Sequence, residues 1–310
     1  CRRDPFRLIA ADRAYAGPVT SWNFSGAQGS ALPDLQNTII VAAFEGWNDA
    51  GDAASDALEH LDAIWEAQPI VEIDDEAYFD YQVNRPVIRQ IDGVTRELVW
   101  PSMQISHCRP PGSDRDIVLM HGVEPNMRWR SFCAELLGIA DKLNVDTVVI
   151  LGALLADTPH TRPVPVTGAA YSPESAKFFG LEESRYEGPT GIAGVFQDAC
   201  VAAGIPAVTF WAAVPHYVSQ PPNPKATVAL LRRVEEALDI EVPLADLPAQ
   251  AEEWELAVTE MTADDEEIAD YVAGLEARGD AEVDVNEALS KVDGDTLAAE
   301  FERYLRRRGR

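Results

Sequence analysis

Positive charge is scarce in this chain: 25 lysines and arginines stand against 52 aspartates and glutamates, for a formal net charge of −27. Such a balance repels phosphate backbones and anionic lipid, so neither nucleic acid nor a membrane surface is an expected partner, and basic protein surfaces are favoured instead. No apolar run approaches the ~20 residues that a membrane-spanning helix needs. The opening CRRDPFRLIAADRAY also lacks the uninterrupted apolar core of a signal peptide. The four cysteines, Cys1, Cys108, Cys133 and Cys200, are far apart and form no C-x-x-C pair. Cys133 and Cys200 fall on apolar faces of expected helices, so they read as buried thiols, and a reducing cytoplasm is the expected compartment.

Catalytic signatures are missing too. The chain has no G-x-S-x-G nucleophile elbow, no G-x-x-x-x-G-K-[ST] phosphate loop and no H-E-x-x-H. His107 and His160 stand alone, which gives a metal site no support, and no cofactor is expected. Internal repeats and low-complexity segments are likewise absent.

What is present is an alternation of buried strands and amphipathic helices. Thr38–Phe44 (TIIVAAF) reads as a buried strand, followed by a turn and a helix with Ala54, Ala57, Leu58, Leu61 and Trp65 on one face. Asp49 is placed to cap that helix, with Asp52 completing an approximate capping box. Strand-rich sequence follows from Ile70 to Ser106, with Asp92-Gly93 as a hairpin signal. Asp116–Met120 and Val145–Leu151 read as further strands, ending at His121-Gly122 and Gly152, with a helix from Pro125 between them. A Pro- and Thr-containing loop is expected from Asp157 to Ala170.

From Glu187 to Tyr217 the pattern is fullest. Gly188-Pro189-Thr190-Gly191 forms a turn in which Thr190 can accept from the first helical N–H groups. Ile192, Val195, Phe196, Ala199 and Ala203 share a helical stripe, and Gly204 suits a left-handed helix end. Ala207–Val214 is a nearly continuous apolar run, as in a strand covered on both faces. The fold expected is α/β: a three-layer α/β/α sandwich on a mixed sheet, with a C-terminal helical extension.

Three segments result: an extended N-terminal arm at 1–36, an α/β core at 37–244 and an acidic helical part at 245–310. The last holds 19 acids and 7 bases. Its helices carry Ala251, Trp254, Val258 and Met261, then Ile268, Tyr271, Val272 and Leu275 behind a Thr262–Asp265 capping box, then Leu297, Phe301 and Leu305. Single apolar stripes of this kind must be buried, either on the body or against other copies, so a dimer or trimer is expected.

Ligands of parallel sheets gather at strand carboxyl ends. The exits here supply Glu45, Asp49, Glu124 and His216 as candidates for proton transfer. Gly46, Gly122, Thr190 and Gly191 are candidates for binding an anion. Each also has a plain structural reading: Asp49 as a cap, the glycines as turns, His216 as a donor to a nearby carbonyl.

Five stretches, FEGWNDAGDAASDAL at 44–58, HGVEP at 121–125, PHTRP at 159–163, GPTGIAGVFQDAC at 188–200 and VPHY at 214–217, resemble the bacterial branch of the proteasome assembly chaperone 2 family. The resemblance implies a phosphorylase/hydrolase-like core, a cytoplasmic protein and self-association. It also implies non-enzymatic, chaperone-like action, with proteasome subunits or another protein as partner. Archaeal relatives can end in a hydrophobic-Tyr-any tail, whereas six residues follow Tyr304 here. The competing expectation is a small-molecule hydrolase or phosphorylase, which requires Glu45, Glu124 and His216 to meet in one cleft.

Overall fold

A computed structural model describes residues 32–290, apart from 75, 92, 182, 183, 185 and 186, and side chains up to residue 278. The expected helix around Leu297–Leu305 and residues 1–31 of the expected arm lie outside the described residues. Residues 32–37, just ahead of the first strand, form neither helix nor strand, but Leu35 is buried in the core.

One seven-stranded sheet organises the chain. In chain order its strands are β1 (Thr38–Glu45), β2 (Gln68–Ile73), β5 (Met103–Cys108), β6 (Ile117–Val123), β7 (Val145–Ala156), β8 (Val166–Ala170) and β9 (Ala207–Pro215). In space they run β2-β5-β6-β1-β7-β9-β8. The central four, β6, β1, β7 and β9, are mutually parallel. Antiparallel β5 and β8 flank them, with β2 pairing outside β5. Alternate side chains of β1 explain the three layers. Ile40, Ala42 and Phe44 pack toward α2 (Trp129–Lys142) and α4 (Ile192–Ala202). Ile39, Val41 and Ala43 pack toward α1 (Ala53–Ile64) and α5 (Pro224–Leu238). A strand buried on both faces has no polar side to show, which is why it reads as a continuous apolar run. Phe44 sits edge-on to Phe132 at 6.5 Å and to Phe196 at 6.2 Å, pinning both helices to the sheet.

The α/β expectation holds, with differences in detail. The stretch read as a loop from Asp157 contains β8, and α3 (Pro173–Phe179) follows it. Gly152 and Gly122 end no strand: β7 continues to Ala156 and β6 to Val123. A side chain at Gly122 would meet the carbonyl of Ser102, just ahead of the adjacent antiparallel β5, at 2.1 Å. Asp49 does cap α1, accepting from the amides of Ala54 at 2.6 Å and Ser55 at 3.0 Å and from the Ser55 hydroxyl at 2.5 Å. No capping box forms, because the Asp49 amide donates to the Gly46 carbonyl instead.

The hairpin signal at Gly93 is realised as β3 (Val87–Gln90) and β4 (Arg96–Val99), a separate two-stranded ribbon. Beyond α5, α6 (Leu247–Ala263) packs against α5 and α7 (Glu266–Ser290) against α6. Val258, Val272 and Leu275 are buried there, while Met261 is exposed. Asp265 alone caps α7, accepting from Glu267 and Ile268; Thr262 donates backward to the Thr259 carbonyl. Among the described residues no helix is long and apolar enough to cross a membrane.

Candidate functional site

The carboxyl ends of β1, β7 and β9 open into a cleft of about 720 Å³. Its walls come from the Gly46–Asp52 turn after β1, from Ala153–Leu155 on β7, from Trp211 on β9 and from Pro189–Gly191 ahead of α4. Trp47, Leu154, Leu155 and Tyr171 are exposed along it. Gly152 lies behind the Trp211 wall: a Cβ there would lie 2.5 Å from the Trp211 ring, so only hydrogen lets the indole lie across β7.

Of the predicted site residues, Gly46, Asp49, Thr190 and Gly191 line this cleft; Glu45, Gly122, Glu124 and His216 are not among its described lining. Gly122 lies within β6, paired with Phe44 of β1 and Met103 of β5. The Thr190 hydroxyl does not cap α4; its one described bond is a long one, 3.5 Å, to the Gly191 carbonyl. The cap comes from elsewhere. Glu124 Oε1 accepts from the Ile192 amide at 3.1 Å and from Asn48 Nδ2 at 3.0 Å, while the Glu124 amide donates to the Glu45 carbonyl at 3.1 Å. A carboxylate at a helix N-terminus is favoured by the helix dipole and by the free amides there. Asn48 is buried, and its Oδ1 faces Gly191 with no hydrogen-bond partner among the described residues. Neither Asn48 nor the capping role of Glu124 was foreseen from sequence, since the bonded positions are 76 and 68 residues apart.

His216 stands apart. Register places Ala43 level with Leu151 and Leu151 level with Phe210, so Glu45 is level with Ala212, and His216 lies four residues further along the chain, just past the end of β9. Two strand spacings and four residues amount to roughly 16 Å. The ring meets Tyr217 and Tyr271 edge-on, and its Nδ1 is 4.0 Å from Asp157. The three groups a hydrolase would need therefore do not converge. Among the described residues, no cluster of histidine, cysteine and carboxylate can hold a metal ion. Cys108, Cys133 and Cys200 are buried thiols whose pKa values burial pushes up, which makes poor nucleophiles of them.

The cleft end of α1 is strongly acidic. Lost hydration, then Asp49, Glu59 and Asp52, raise the Glu45 pKa; Arg89 of β3 is the cation that opposes them. Burial raises Asp49 as well. Burial followed by Glu59, Asp52 and Asp49 pushes Asp56 up to about 6. Carboxylates so crowded repel one another and attract a cationic surface.

A second constellation, unforeseen because His160 looked isolated, joins the core to the helical extension. The Tyr217 hydroxyl accepts from the His160 amide at 2.8 Å and contacts His160 Nδ1 at 2.8 Å. His160 Nε2 lies 3.0 Å from Thr259 Oγ1, whose own proton goes to the Glu255 carbonyl. These directions assign one tautomer: Tyr217 donates to Nδ1, and Nε2–H donates to Thr259. Lys225 donates to the His160 carbonyl at 2.5 Å and pairs with Glu255, and Thr161 bonds Glu276 of α7.

The quoted stretches thus meet in two places. FEGWND, HGVEP and GPTGI form the Asn48–Glu124–Ile192 lock, and PHTRP meets VPHY through His160 and Tyr217. Both are bonded structural joints.

Residues 43–262 match the family model described as the PAC2 family. A solved proteasome-assembly chaperone homologue from Mycobacterium tuberculosis is 81% identical, with 76% of this chain and 99% of that one covered, at a TM-score of 0.69. A PAC2 family protein from Streptomyces avermitilis is 56% identical over the same shares, with a TM-score of 0.71. PbaA from Pyrococcus furiosus, an archaeal homologue of proteasome-assembly chaperone, is 17% identical over 78% of this chain and 96% of its own, at a TM-score of 0.56, and shares the fold. No curated protein matches the chain.

Proposed function

The chain belongs to the PAC2 family, and from that premise we propose that it is a non-enzymatic, chaperone-like interaction protein that acts as a homo-oligomer. The observation that carries this reading is where exposed apolar surface lies. Of the fourteen large apolar side chains exposed among the described residues, seven lie on 83–100, around β3 and β4, and four on the cleft. Patches of this kind mark protein interfaces. The alternative, a hydrolase or phosphorylase, needs Glu45, Glu124 and His216 about one substrate, and their placement gives it no support.

We read the client as a proteasome subunit, after the Mycobacterium relative, and the compartment as the cytoplasm. Residues 37–244 serve as the core and 245–310 as a helical appendage joined to it through His160. Contact between copies is assigned to the β3–β4 ribbon and the cleft, because Val258 of α6 and Val272 and Leu275 of α7 are already buried within the chain.

Sedimentation of the full chain with proteasome α-type subunits from the same cell tests the client. Co-migration in a discrete complex is the expected result, weakened by salt because the chain is so acidic. Separate migration at every ratio and at low salt would remove the proteasome from the reading.

A further inference from the structure

We propose that copies of this chain associate head to tail, with the β3–β4 ribbon of one copy entering the strand-exit cleft of the next. The proposal rests on the self-association reading above and names the two surfaces that meet.

The ribbon cannot be at rest in water. Every described residue from Val87 to Leu98 is exposed, so neither face is covered by its own chain. Val87, Ile88, Ile91 and Val94 are between 58% and 86% exposed, the highest being Val94 near the tip. An isolated two-stranded ribbon is marginal in water even with good pairing, and it gains stability when an apolar face is covered. The cleft offers the matching surface: aromatic and aliphatic walls, and depth enough for several side chains.

Charge decides the occupant. Two copies at −27 each repel, so an interface between them must be locally attractive. Residues 83–100 carry Arg85, Arg89 and Arg96 against Asp92 and Glu97, a net +1 in a chain that is otherwise acidic. All three arginines are exposed. The described lining of the cleft includes Asp49 and Asp52 and no lysine, arginine or histidine. Glu45 and Asp56 stand beside it, their carboxyls held above the ordinary range by burial first and by neighbouring acids second. An arginine brought in by a second copy relieves that crowding and can stack on Trp47 or Trp211. Within one chain Arg89 already offsets Glu45, so part of the ribbon lies within electrostatic reach of the residue that ends β1. Because ribbon and cleft are different patches, a head-to-tail contact is heterologous and builds a ring or an open chain; a parent chain that stops at a two-fold dimer, with both contacts made reciprocally, would overturn that arrangement.

Sedimentation velocity on two full-length variants tests this. Val94→Asp disables the ribbon and Leu155→Arg disables the cleft; both positions are exposed, so folding is expected to survive. Each variant alone should be monomeric where the parent chain assembles, with the dissociation constant raised about 30-fold or more, as for a hot-spot side chain. An equimolar mixture should restore dimers and nothing larger, since one intact ribbon then meets one intact cleft. Ile88→Asp and Trp47→Ser repeat the test from other positions. If Leu155→Arg keeps the parent mass, or the mixture stays monomeric, the proposal is overturned while self-association stands. A parent chain that is itself monomeric overturns both.

Discussion

Gly152→Val is expected to lower the free energy of unfolding by about 3 kcal/mol, the upper end of ordinary overpacking. The cause is local and steric. Cβ at this position would sit 2.5 Å from one atom of the Trp211 ring and 2.6 Å from another, and the backbone of β7 is held between β1 and β9. Either the strand shifts or the indole leaves. If the indole leaves, the cleft loses a wall, so weakened association should accompany the lost stability. Denaturant unfolding measures the first effect through the midpoint at constant slope. Adding Trp211→Ala to Gly152→Val should recover part of the stability by making room, without recovering association. A cost below about 0.5 kcal/mol, within the range of a neutral surface change, would mean that the ring is not held where described.

His160→Ala should cost about 2–3 kcal/mol, because it removes a buried ring and leaves the Tyr217 hydroxyl proton without its acceptor, although the backbone amide at 160 still donates to that hydroxyl. The loss should be concentrated in the helical extension. Amides of α6 and α7 should exchange roughly 30- to 100-fold faster, while those of β1 and β7 change little. The same joint responds to acid. Burial lowers the His160 pKa below its ordinary 6.5, against the pull of Glu255 and Glu276. The folded state therefore favours the neutral ring, and the unfolded state binds more protons in the window between the two values. Stability from this group is complete above about pH 6.5 and is lost as pH falls through the lowered folded value. Protonation at Nδ1 forces the Tyr217 hydroxyl to give up the bond it donates. Exchange in α6 and α7 that is unchanged by the substitution, or protection there that rises in acid once the intrinsic pH dependence of exchange is divided out, would contradict this role.

Much of the fold was legible because its signals are local. β1 and β9 announce themselves as continuous apolar runs, α4 by a helical stripe closed by Gly204, which indeed adopts a left-handed φ of 77°. β8 was not legible: Val-Thr-Gly-Ala-Ala is short and small, and its glycine is there because Leu181 and Phe210 press against it. Gly152 misled for a similar reason. Glycine usually punctuates a strand, and nothing nearby in sequence reveals a tryptophan 59 positions later. The site was harder still. Residue type and its place in the turn ahead of the helical stripe singled out Thr190 as the cap of α4, but the cap is Glu124, which only the sheet order brings to that helix. His160 reads in sequence as an isolated histidine and Tyr217 as the end of a strand exit, and their pairing is a property of the folded chain.

The central claim is that this chain works through surfaces it shares with other copies and with client proteins. Sedimentation equilibrium of the full chain at neutral pH, over a wide range of concentration, tests it most directly. The expected result is a mass that is a multiple of one chain and that falls toward the monomer on dilution. A single-chain mass at every concentration would contradict it.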